Sequence, residues 1–271
     1  MTYADGQRSS AEPDDRMMPA RPLSASPLSL APPLAISLRS AHLTYGGLVL
    51  FDGLDLELPG GVFTCLLGPS GIGKSSLLRL LAGLTSPGVS GDLRGSDGRG
   101  LTGRVAYMAQ QDLLLPWLSV LQNVTLGSRL RSEPANRGRA LDLLAQVGLA
   151  DSALVRPDTL SGGMRQRVAL ARTLMEDRPL VLMDEPFSGL DALTRLRLQA
   201  LAAELLAGRT VLLVTHDPLE ALRLGEQILV MNGRPATLSA LPDLPGAPPR
   251  DPGDPALQAA YRAILRRLEA Q

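Results

Sequence analysis

The stretch Gly68-Pro69-Ser70-Gly71-Ile72-Gly73-Lys74-Ser75 carries the clearest signal in the chain. It has the spacing G-x-x-x-x-G-K-[S/T] of a phosphate-binding loop, whose glycines let backbone N–H groups turn toward phosphate oxygens. An apolar run that predicts a strand, Val62–Leu67, precedes it, and a predicted helix that starts at Lys74 follows. The helix N-terminus adds partial positive charge. We therefore expect Lys74 to reach the phosphates of a nucleotide and Ser75 to bind Mg²⁺.

A second motif, Leu180-Val181-Leu182-Met183-Asp184-Glu185, predicts a buried strand that ends in two carboxylates. Asp184 has the chemistry to bind Mg²⁺, directly or through water. Glu185 is placed to polarise an attacking water. An apolar run that ends in Asp-Glu is weak evidence alone, and it gains weight from the phosphate-binding loop upstream.

A third motif, Leu160-Ser161-Gly162-Gly163-Met164-Arg165-Gln166-Arg167, opens a predicted helix with a hydroxyl and two glycines. Apolar side chains recur along one face of that helix at Met164, Val168, Ala171 and Met175. Such a helix start is another anion-binding site. One nucleotide does not need two such sites in one chain, so the surplus site suggests a dimer.

Composition excludes several classes of protein. The chain has 271 residues with 27 Lys and Arg and 27 Asp and Glu, so its net charge is zero. This balance and the aromatic content of 3% argue against a nucleic-acid binder. The single cysteine, Cys65, allows no disulfide within the chain. Neither a membrane-spanning run nor a signal peptide is recognisable, so we expect the chain to stay in the cytoplasm.

Alternation of strand-like and helix-like segments predicts an α/β fold with a parallel sheet covered on both faces. Residues 1–33 are predicted to be a disordered extension, because they are rich in Pro, Ser, Ala and Arg without periodicity. The core domain is expected over 34–240, with a helical insertion at about 112–160 built on Val120–Leu130 and Ala135–Val147. Residues 241–271 are expected to form a linker and an amphipathic helix, capped by Asp254 with Pro255 at its first position.

These motifs occur in the order seen in the nucleotide-binding subunit of ABC transporters, which the chain resembles from about Ala35 to Ser239. The phosphate-binding loop resembles the Walker A motif and the strand that ends at Asp184 resembles Walker B. The segment Leu160–Arg167 resembles the family's signature motif, with Met164 where Gln is commonest. The likeness extends to Gln110 as the Q-loop glutamine, Ser188–Asp191 as the D-loop, His216 as the switch histidine and Tyr45 as the aromatic that stacks on adenine.

The resemblance implies a P-loop NTPase core with a parallel sheet, an antiparallel β-subdomain and a helical insertion. Catalytic roles fall on Glu185, His216 and Gln110, and Mg²⁺ ligation on Ser75, Gln110 and Asp184. The residues implied in ATP binding are Tyr45, Gly68, Pro69, Ser70, Gly71, Ile72, Gly73, Lys74, Ser75, Ser76, Ser161, Gly162, Gly163 and Asp191.

The same resemblance implies partners and a location. Two copies would pack head to tail around two ATP molecules, with Ser161 and Gly163 of one copy at the γ-phosphate bound by Lys74 of the other. Integral membrane permease subunits would be direct partners and a substrate-binding protein an indirect one. The chain would then lie on the cytoplasmic face of the inner membrane, held there by the permease.

Other functions stay open at this point. A soluble ABC ATPase acting on ribosomes or DNA is the alternative, although such proteins usually have two fused nucleotide-binding domains or a long coiled coil. A GTPase or small-molecule kinase would leave the signature motif unexplained. Among importers, the stretch 109–117 resembles the nitrate, sulfonate and taurine group, and Met108–Asp112 resembles members assigned to hydroxymethylpyrimidine, a thiamine precursor.

Several residues have a simpler interpretation beside the functional one. Tyr45 could pack on the sheet, and Leu113-Leu114-Leu115-Pro116-Trp117 could be core rather than a docking surface for a membrane subunit. Arg165, Arg167 and Arg172 are expected to be solvated or structural.

Overall fold

The computed structural model of the chain describes residues 33–84 and 89–269. Residues 1–32 of the predicted disordered extension lie outside the described residues. Within the described part, the strands are β1 (Ile36–Tyr45), β2 (Leu48–Leu58), β3 (Phe63–Leu67), β4 (Val89–Gly95), β5 (Val105–Met108), β6 (Leu180–Asp184), β7 (Thr210–Val214), β8 (Gln227–Asn232) and β9 (Thr237–Ala240). The helices are α1 (Lys74–Leu81), α2 (Val120–Val124), α3 (Leu126–Leu130), α4 (Arg137–Gln146), α5 (Gly162–Met175), α6 (Ala192–Leu205), α7 (Pro218–Leu224) and α8 (Pro255–Glu269).

The described strands form two sheets. The larger has the order β5-β6-β7-β3-β8-β9. Its strands β5, β6, β7, β3 and β8 run parallel to one another, and β9 is antiparallel to β8. The smaller has the order β2-β1-β4 and is antiparallel. This combination confirms the predicted α/β fold with a parallel core and an antiparallel β-subdomain.

The larger sheet is the middle layer of the fold. Strands β3, β6 and β7 are buried along their whole length, as expected of parallel strands covered on both faces. Alternate residues of β3 point to opposite faces. Cys65 and Leu67 pack in a core with α5, α6 and α7, whereas Leu66 packs in a second core with α1 and the smaller sheet. Helices α1 and α5 therefore lie on opposite faces of the sheet.

Strand order places the predicted site at one edge of the sheet. The neighbours β5, β6, β7 and β3 are parallel, so the segments after their carboxyl ends lie side by side. These segments contain Gln110, Asp184–Glu185, His216 and the loop 68–73. Ligand sites of open α/β sheets lie at this edge.

The helical insertion differs from the predicted pair of helices. The expected helix Val120–Leu130 is divided into α2 and α3 at Thr125. The Thr125 hydroxyl donates to the carbonyl of Leu121 at 2.9 Å, and a hydroxyl bonded back to residue i−4 bends a helix. The second helix, expected over Ala135–Val147, spans Arg137–Gln146 and is capped by the Asn136 side chain.

The segment after β9 is fastened to the core at Arg250. Its guanidinium donates to the carbonyls of Leu222 and Gly225 at 2.9 and 2.8 Å, at the carboxyl end of α7. The Asp254 carboxylate then accepts from the N–H of Ala256 at 2.8 Å, the capping contact expected at the start of α8. Helix α8 packs on α7, with Leu257 and Ile264 buried.

Candidate nucleotide site

The loop after β3 has no room for side chains at two of its glycines. A Cβ on Gly68 would lie 2.7 Å from the carbonyl oxygen of Met231. A Cβ on Gly73 would lie 2.9 Å from the ring of Phe51, and Gly73 also has a φ of 112°. The first turn of α1 carries no side-chain cap. Its amide N–H groups therefore remain available as donors to a bound anion.

Lys74 is folded back over this loop. Its Nζ donates to the carbonyls of Gly68 and Pro69, both at 2.8 Å, and only 6% of the residue is exposed. Burial lowers the pKa of Lys74, while the charges of Glu185 and Asp184 act in the opposite direction. Two of the three N–H donors of the ammonium group are thus bonded to backbone carbonyls, and the third can donate to phosphate.

Ser75 and Asp184 meet beside the lysine. Asp184 is the last residue of β6 and is buried, and its side chain is hydrogen-bonded to Ser75. Burial raises the pKa of Asp184, and the bond to Ser75 lowers it. A hydroxyl and a carboxylate are the hard oxygen ligands that Mg²⁺ prefers. The donor set therefore fits the predicted magnesium site.

Glu185 brings the three predicted catalytic residues together. Its Oε1 lies 3.0 Å from Nδ1 of His216, and its Oε2 accepts from the amide of Gln110 at 3.2 Å. The backbone of Glu185 has a φ of 48° and its N–H donates to Val214 of β7 at 2.9 Å. Only 16% of the Glu185 side chain is exposed, while the imidazole of His216 is 59% exposed. A polarised water could therefore reach the carboxylate from the open side.

Gln166 was not singled out by sequence reasoning, although it lies within the third motif. It is buried, and its amide donates to the carbonyl of Pro186 at 3.1 Å, directly after Glu185. The only sequence signal was its position, one helical turn after Gly163 on the buried side of α5.

The second predicted anion-binding site lies at the start of α5. Ser161 caps this helix and accepts from the N–H of Met164 at 3.3 Å. Ser161 and Gly163 line a cavity of about 210 Å³ together with Leu190 and Asp191. Because α1 and α5 lie on opposite faces of the sheet, the two anion-binding sites start from different layers of the fold.

Tyr45 and Asp191 are the outlying residues of the predicted set. Tyr45 ends β1 and is 76% exposed, so it does not pack on the sheet. Asp191 caps α6 and accepts from the N–H of Thr194 at 3.0 Å, a bond that lowers the pKa of its carboxyl.

Sequence comparison gives the family. A family model described as ABC transporter matches residues 51–188, which include the phosphate-binding loop, Gln110, Ser161 and Glu185. The chain belongs to the ABC transporter family. This membership confirms the predicted ATP-binding and ATP-hydrolysing class of the protein, and the motifs described above are those of an ABC ATPase.

Relatives and solved structures agree with this assignment. The chain is 42% identical over 242 residues to an aliphatic sulfonates import ATP-binding protein, SsuB 1, of Pseudomonas syringae pv. syringae, covering 89% of this chain and 95% of the relative. It is 47% identical over 221 residues to SsuB 1 of Rhodococcus jostii, covering 80% and 86%. The dimeric post-hydrolysis structure of the ATP-binding cassette MJ0796 bound to ADP and Pi is similar with a TM-score of 0.69 and 30% identity, covering 78% of this chain and all of that one.

A second surface of this ABC ATPase is apolar and exposed. In the stretch 113–117, Leu114 is buried, whereas Leu113 and Trp117 are 58% and 66% exposed. The stretch thus divides between the two interpretations, core packing and docking. The buried Asn123 holds its backbone by accepting from the N–H of Leu115 at 2.8 Å and donating to the carbonyl of Leu115 at 3.2 Å.

The three arginines of α5 have structural contacts. Arg172 donates to the carbonyls of Asp112 and Leu113 at 2.6 and 2.9 Å, and burial lowers the pKa of its guanidinium. Arg165 binds the Asp112 carboxylate at 3.1 Å and Arg167 binds the carbonyl of Val147 at 2.9 Å. The exposed stretch 113–117 is therefore held in place from α5 as well as from Asn123.

The structure also bears on membrane contact. In residues 33–84 and 89–269, no helix combines the length and the apolar character needed to cross a bilayer.

Proposed function

We propose that the chain is the ATP-hydrolysing subunit that energises a bacterial importer, with aliphatic sulfonates as the solute class. The observation that carries hydrolysis is the cluster in which Glu185 contacts His216 at 3.0 Å and Gln110 at 3.2 Å beside the Ser75–Asp184 pair. The import role is supported by relatives such as those of Pseudomonas syringae and Rhodococcus jostii, which are named as sulfonate import proteins. Taurine, which is itself an aliphatic sulfonate, falls within this class, and nitrate and hydroxymethylpyrimidine are the other solutes that the sequence likeness allows.

ATP binding is assigned to the loop 68–76 and to Tyr45. The bare loop backbone and the uncapped start of α1 donate to phosphate oxygens, and Lys74 adds the nearest cation. Tyr45 offers an exposed aromatic face for the adenine. Ser75, Asp184 and Gln110 would hold Mg²⁺, which when bound neutralises charge on the phosphate oxygens.

Hydrolysis is assigned to the Glu185 cluster. The Glu185 carboxylate accepts a hydrogen bond from the attacking water and so raises its nucleophilicity. His216 holds the γ-phosphate, and Gln110 orients the carboxylate through its amide. The φ of 48° at Glu185 fits this role, because backbone strain of this kind gathers at functional sites.

A second copy of the chain is the proposed direct partner at the nucleotide. The α5 start and Asp191 share a cavity on the opposite side of the sheet from the layer that contains α1. Packing two copies head to tail would bring Ser161 and Gly163 of one copy to the γ-phosphate held by the other. The similar MJ0796 cassette has been solved as a dimer, which supports this arrangement.

The apolar surface formed by Leu113 and Trp117 is assigned to the permease. Exposed apolar side chains on a rigidly held backbone are typical of a docking surface. Through this contact the chain would lie on the cytoplasmic face of the inner membrane, and a solute-binding protein would act indirectly through the permease.

The test is purification of the tagged chain from its native membrane, followed by ATPase assays of the complex. We expect a multi-spanning permease to co-purify, and we expect ATPase activity to rise when a solute-binding protein loaded with an aliphatic sulfonate is added. If only a binding protein loaded with hydroxymethylpyrimidine or nitrate stimulates the ATPase, that compound replaces aliphatic sulfonates as the proposed solute. A ribosomal or DNA-repair partner without a permease would overturn the transport role.

A further inference from the structure

A buried polar pair joins α6 to α7 next to His216. The side-chain amide of Gln199, in the second turn of α6, donates to Oε1 of Glu220 at 3.0 Å. Only 2% of Gln199 and 5% of Glu220 are exposed. Neither residue belongs to the motifs that predicted the nucleotide site.

Glu220 also reaches the strand end from which His216 emerges. Its carboxyl is hydrogen-bonded to the side chain of Thr215, the residue directly before His216. The Thr215 hydroxyl accepts from the N–H of Asp217 at 3.0 Å, so it bridges the two neighbours of the histidine. Thr215 is in turn held to β3 by its N–H, which donates to Leu66 at 3.1 Å.

Arg195, one turn before Gln199 on the same helix, makes a parallel connection. Its guanidinium donates to the carbonyl of Leu190 at 2.9 Å and lies 3.9 Å from the carboxylate of Asp217. Leu190 and Asp191 line the cavity at the start of α5. Helix α6 therefore contacts both the Leu190–Asp191 turn and the turn that presents His216.

Stability alone does not account for the pair. A buried carboxyl and a buried amide are costly to desolvate, and Oε1 of Gln199 has no hydrogen-bond partner. Burial raises the pKa of Glu220, and its bonds to Thr215 and Gln199 lower it. Replacing a buried polar or ionic pair by apolar side chains of similar volume is often neutral or stabilising. What the polar pair adds is a fixed orientation for the Thr215–Asp217 turn.

We propose that Gln199, acting through Glu220, is a positioning residue for His216. It holds the switch histidine at Glu185, and Arg195 on the same helix ties that position to the Leu190–Asp191 turn. This inference rests on the proposed role of His216 in hydrolysis. Because Gln199 does not contact the loop 68–76, it acts on the chemical step rather than on ATP binding.

The test compares Gln199→Leu with Gln146→Leu in the full chain. Gln146 is a matched control, because its Oε1 is also buried without a partner and it lies on α4, away from His216. We expect Gln199→Leu to lower kcat for ATP hydrolysis about tenfold, less than the roughly 100-fold that a 1 Å misplacement of a catalytic group can cost, with KM for ATP within about twofold. Gln146→Leu should leave both constants unchanged.

Histidine NMR gives a readout that does not depend on turnover. The sequence contains two histidines, His42 and His216, so the ring Hδ2 and Hε1 signals come from these two residues and can be resolved. Gln199→Leu should displace or broaden the His216 ring resonance and leave that of His42 in place, since His42 lies in β1 and pairs with Asp52. Glu220→Gln keeps the side-chain shape and one acceptor oxygen for Gln199, so it should largely preserve the His216 resonance and kcat, whereas Glu220→Leu has no acceptor and should disturb both.

The outcomes separate the two proposals. An unchanged His216 resonance together with an unchanged kcat in Gln199→Leu would overturn the positioning role. If Gln199→Leu fails to fold, kcat and the His216 resonance are measured instead in Gln199→Met and in the two Glu220 variants. Wild-type protein that hydrolyses no ATP would instead refute the proposed function, while the His216 resonance would still report whether Gln199 positions the ring.

Discussion

The backbone of Glu185 occupies the left-handed region at a φ of 48°, which an L-residue adopts only when its surroundings hold it there. Two hydrogen bonds provide that restraint. The N–H of Glu185 donates to the carbonyl of Val214, and the side-chain amide of Gln166 donates to the carbonyl of Pro186, the next residue. The carboxylate is consequently aimed at His216 and Gln110. The edge of the sheet therefore determines where the carboxylate lies, in addition to supplying its charge.

Replacing Glu185 with Gln should separate ATP binding from hydrolysis. The variant keeps the shape and the contact to Gln110 but loses the acceptor that polarises water, so kcat should fall at least 100-fold. Equilibrium binding of ATP should stay within about twofold, and size-exclusion chromatography with ATP should show a trapped dimer. Lys74→Ala is the contrasting variant, expected to lose ATP binding because the loop loses its cation. Near-normal turnover of Glu185→Gln would remove this residue from the mechanism.

Glu220 should give the stability of the protein a specific pH dependence. Its pKa is raised in the folded state, chiefly by burial, so its contribution is fully present below the ordinary Glu pKa of about 4.3 and is lost as pH rises through the folded value. Glu220→Gln removes this loss. The free energy of unfolding of the variant relative to wild type should therefore increase between about pH 4.3 and 7. Urea titrations across that range would measure it, and a constant difference would contradict the assignment.

The site residues that could be predicted from the sequence are those that lie in short motifs, where adjacent residues in the chain indicate their role. Lys74, Ser75, Asp184 and Glu185 lie in short motifs at the ends of apolar strands. Gln199 could not be identified in this way. Its partner Glu220 lies on another helix, and the contact exists only because α6 and α7 pack on the same face of the sheet.

At the scale of elements, the long buried strands and α5 were predictable because their periodicity or continuous apolar character is strong. Strands β4 and β9 do not show in the sequence pattern, since apart from Gly95 neither contains a buried residue, and β4 contains two glycines. The break at Thr125 was missed as well, because the apolar pattern of α2 and α3 continues across it. Exposed edge strands and local side-chain bonds leave little trace in a hydrophobic pattern.

The loop between β3 and α1 should tolerate alanine at Gly71 better than at Gly73. Ala at Gly73 would lie 2.9 Å from the ring of Phe51, whereas Ala at Gly71 would meet nothing within 4 Å. Both positions have positive φ, so both variants carry that strain. Gly73→Ala should lower the free energy of unfolding by about 1–3 kcal/mol more than Gly71→Ala, the usual cost of overpacking. Chemical denaturation of the two variants without nucleotide would show equal values if the close approach is unimportant.

At the scale of the whole molecule, the sheet separates two functions onto different layers. The layer with α1 and the smaller sheet contains the helix proposed to bind phosphate, and the layer with α5 contains the helix of the proposed signature motif and the surface formed by Leu113 and Trp117. Strand order could not be derived from pattern, because β3 pairs with β7 and β8, which are far away in sequence. The family resemblance implied the parallel core and the antiparallel subdomain, but no periodicity encodes which strands are neighbours.

Trp117 should contribute to permease binding without contributing to folding. It is 66% exposed, so Trp117→Ala removes little buried area from the core. A central aromatic anchor at an interface contributes about 2 kcal/mol or more, so the Kd for the permease should rise at least about 30-fold while Tm stays unchanged. Leu130→Ala is the matched control, since Leu130 is 76% exposed in the same helical insertion.

Asn123→Ala should weaken permease binding too, but with a lower Tm, because its buried amide holds the backbone of residues 115–119. If Leu130→Ala weakens the complex and Trp117→Ala does not, the permease docks on another face of the insertion.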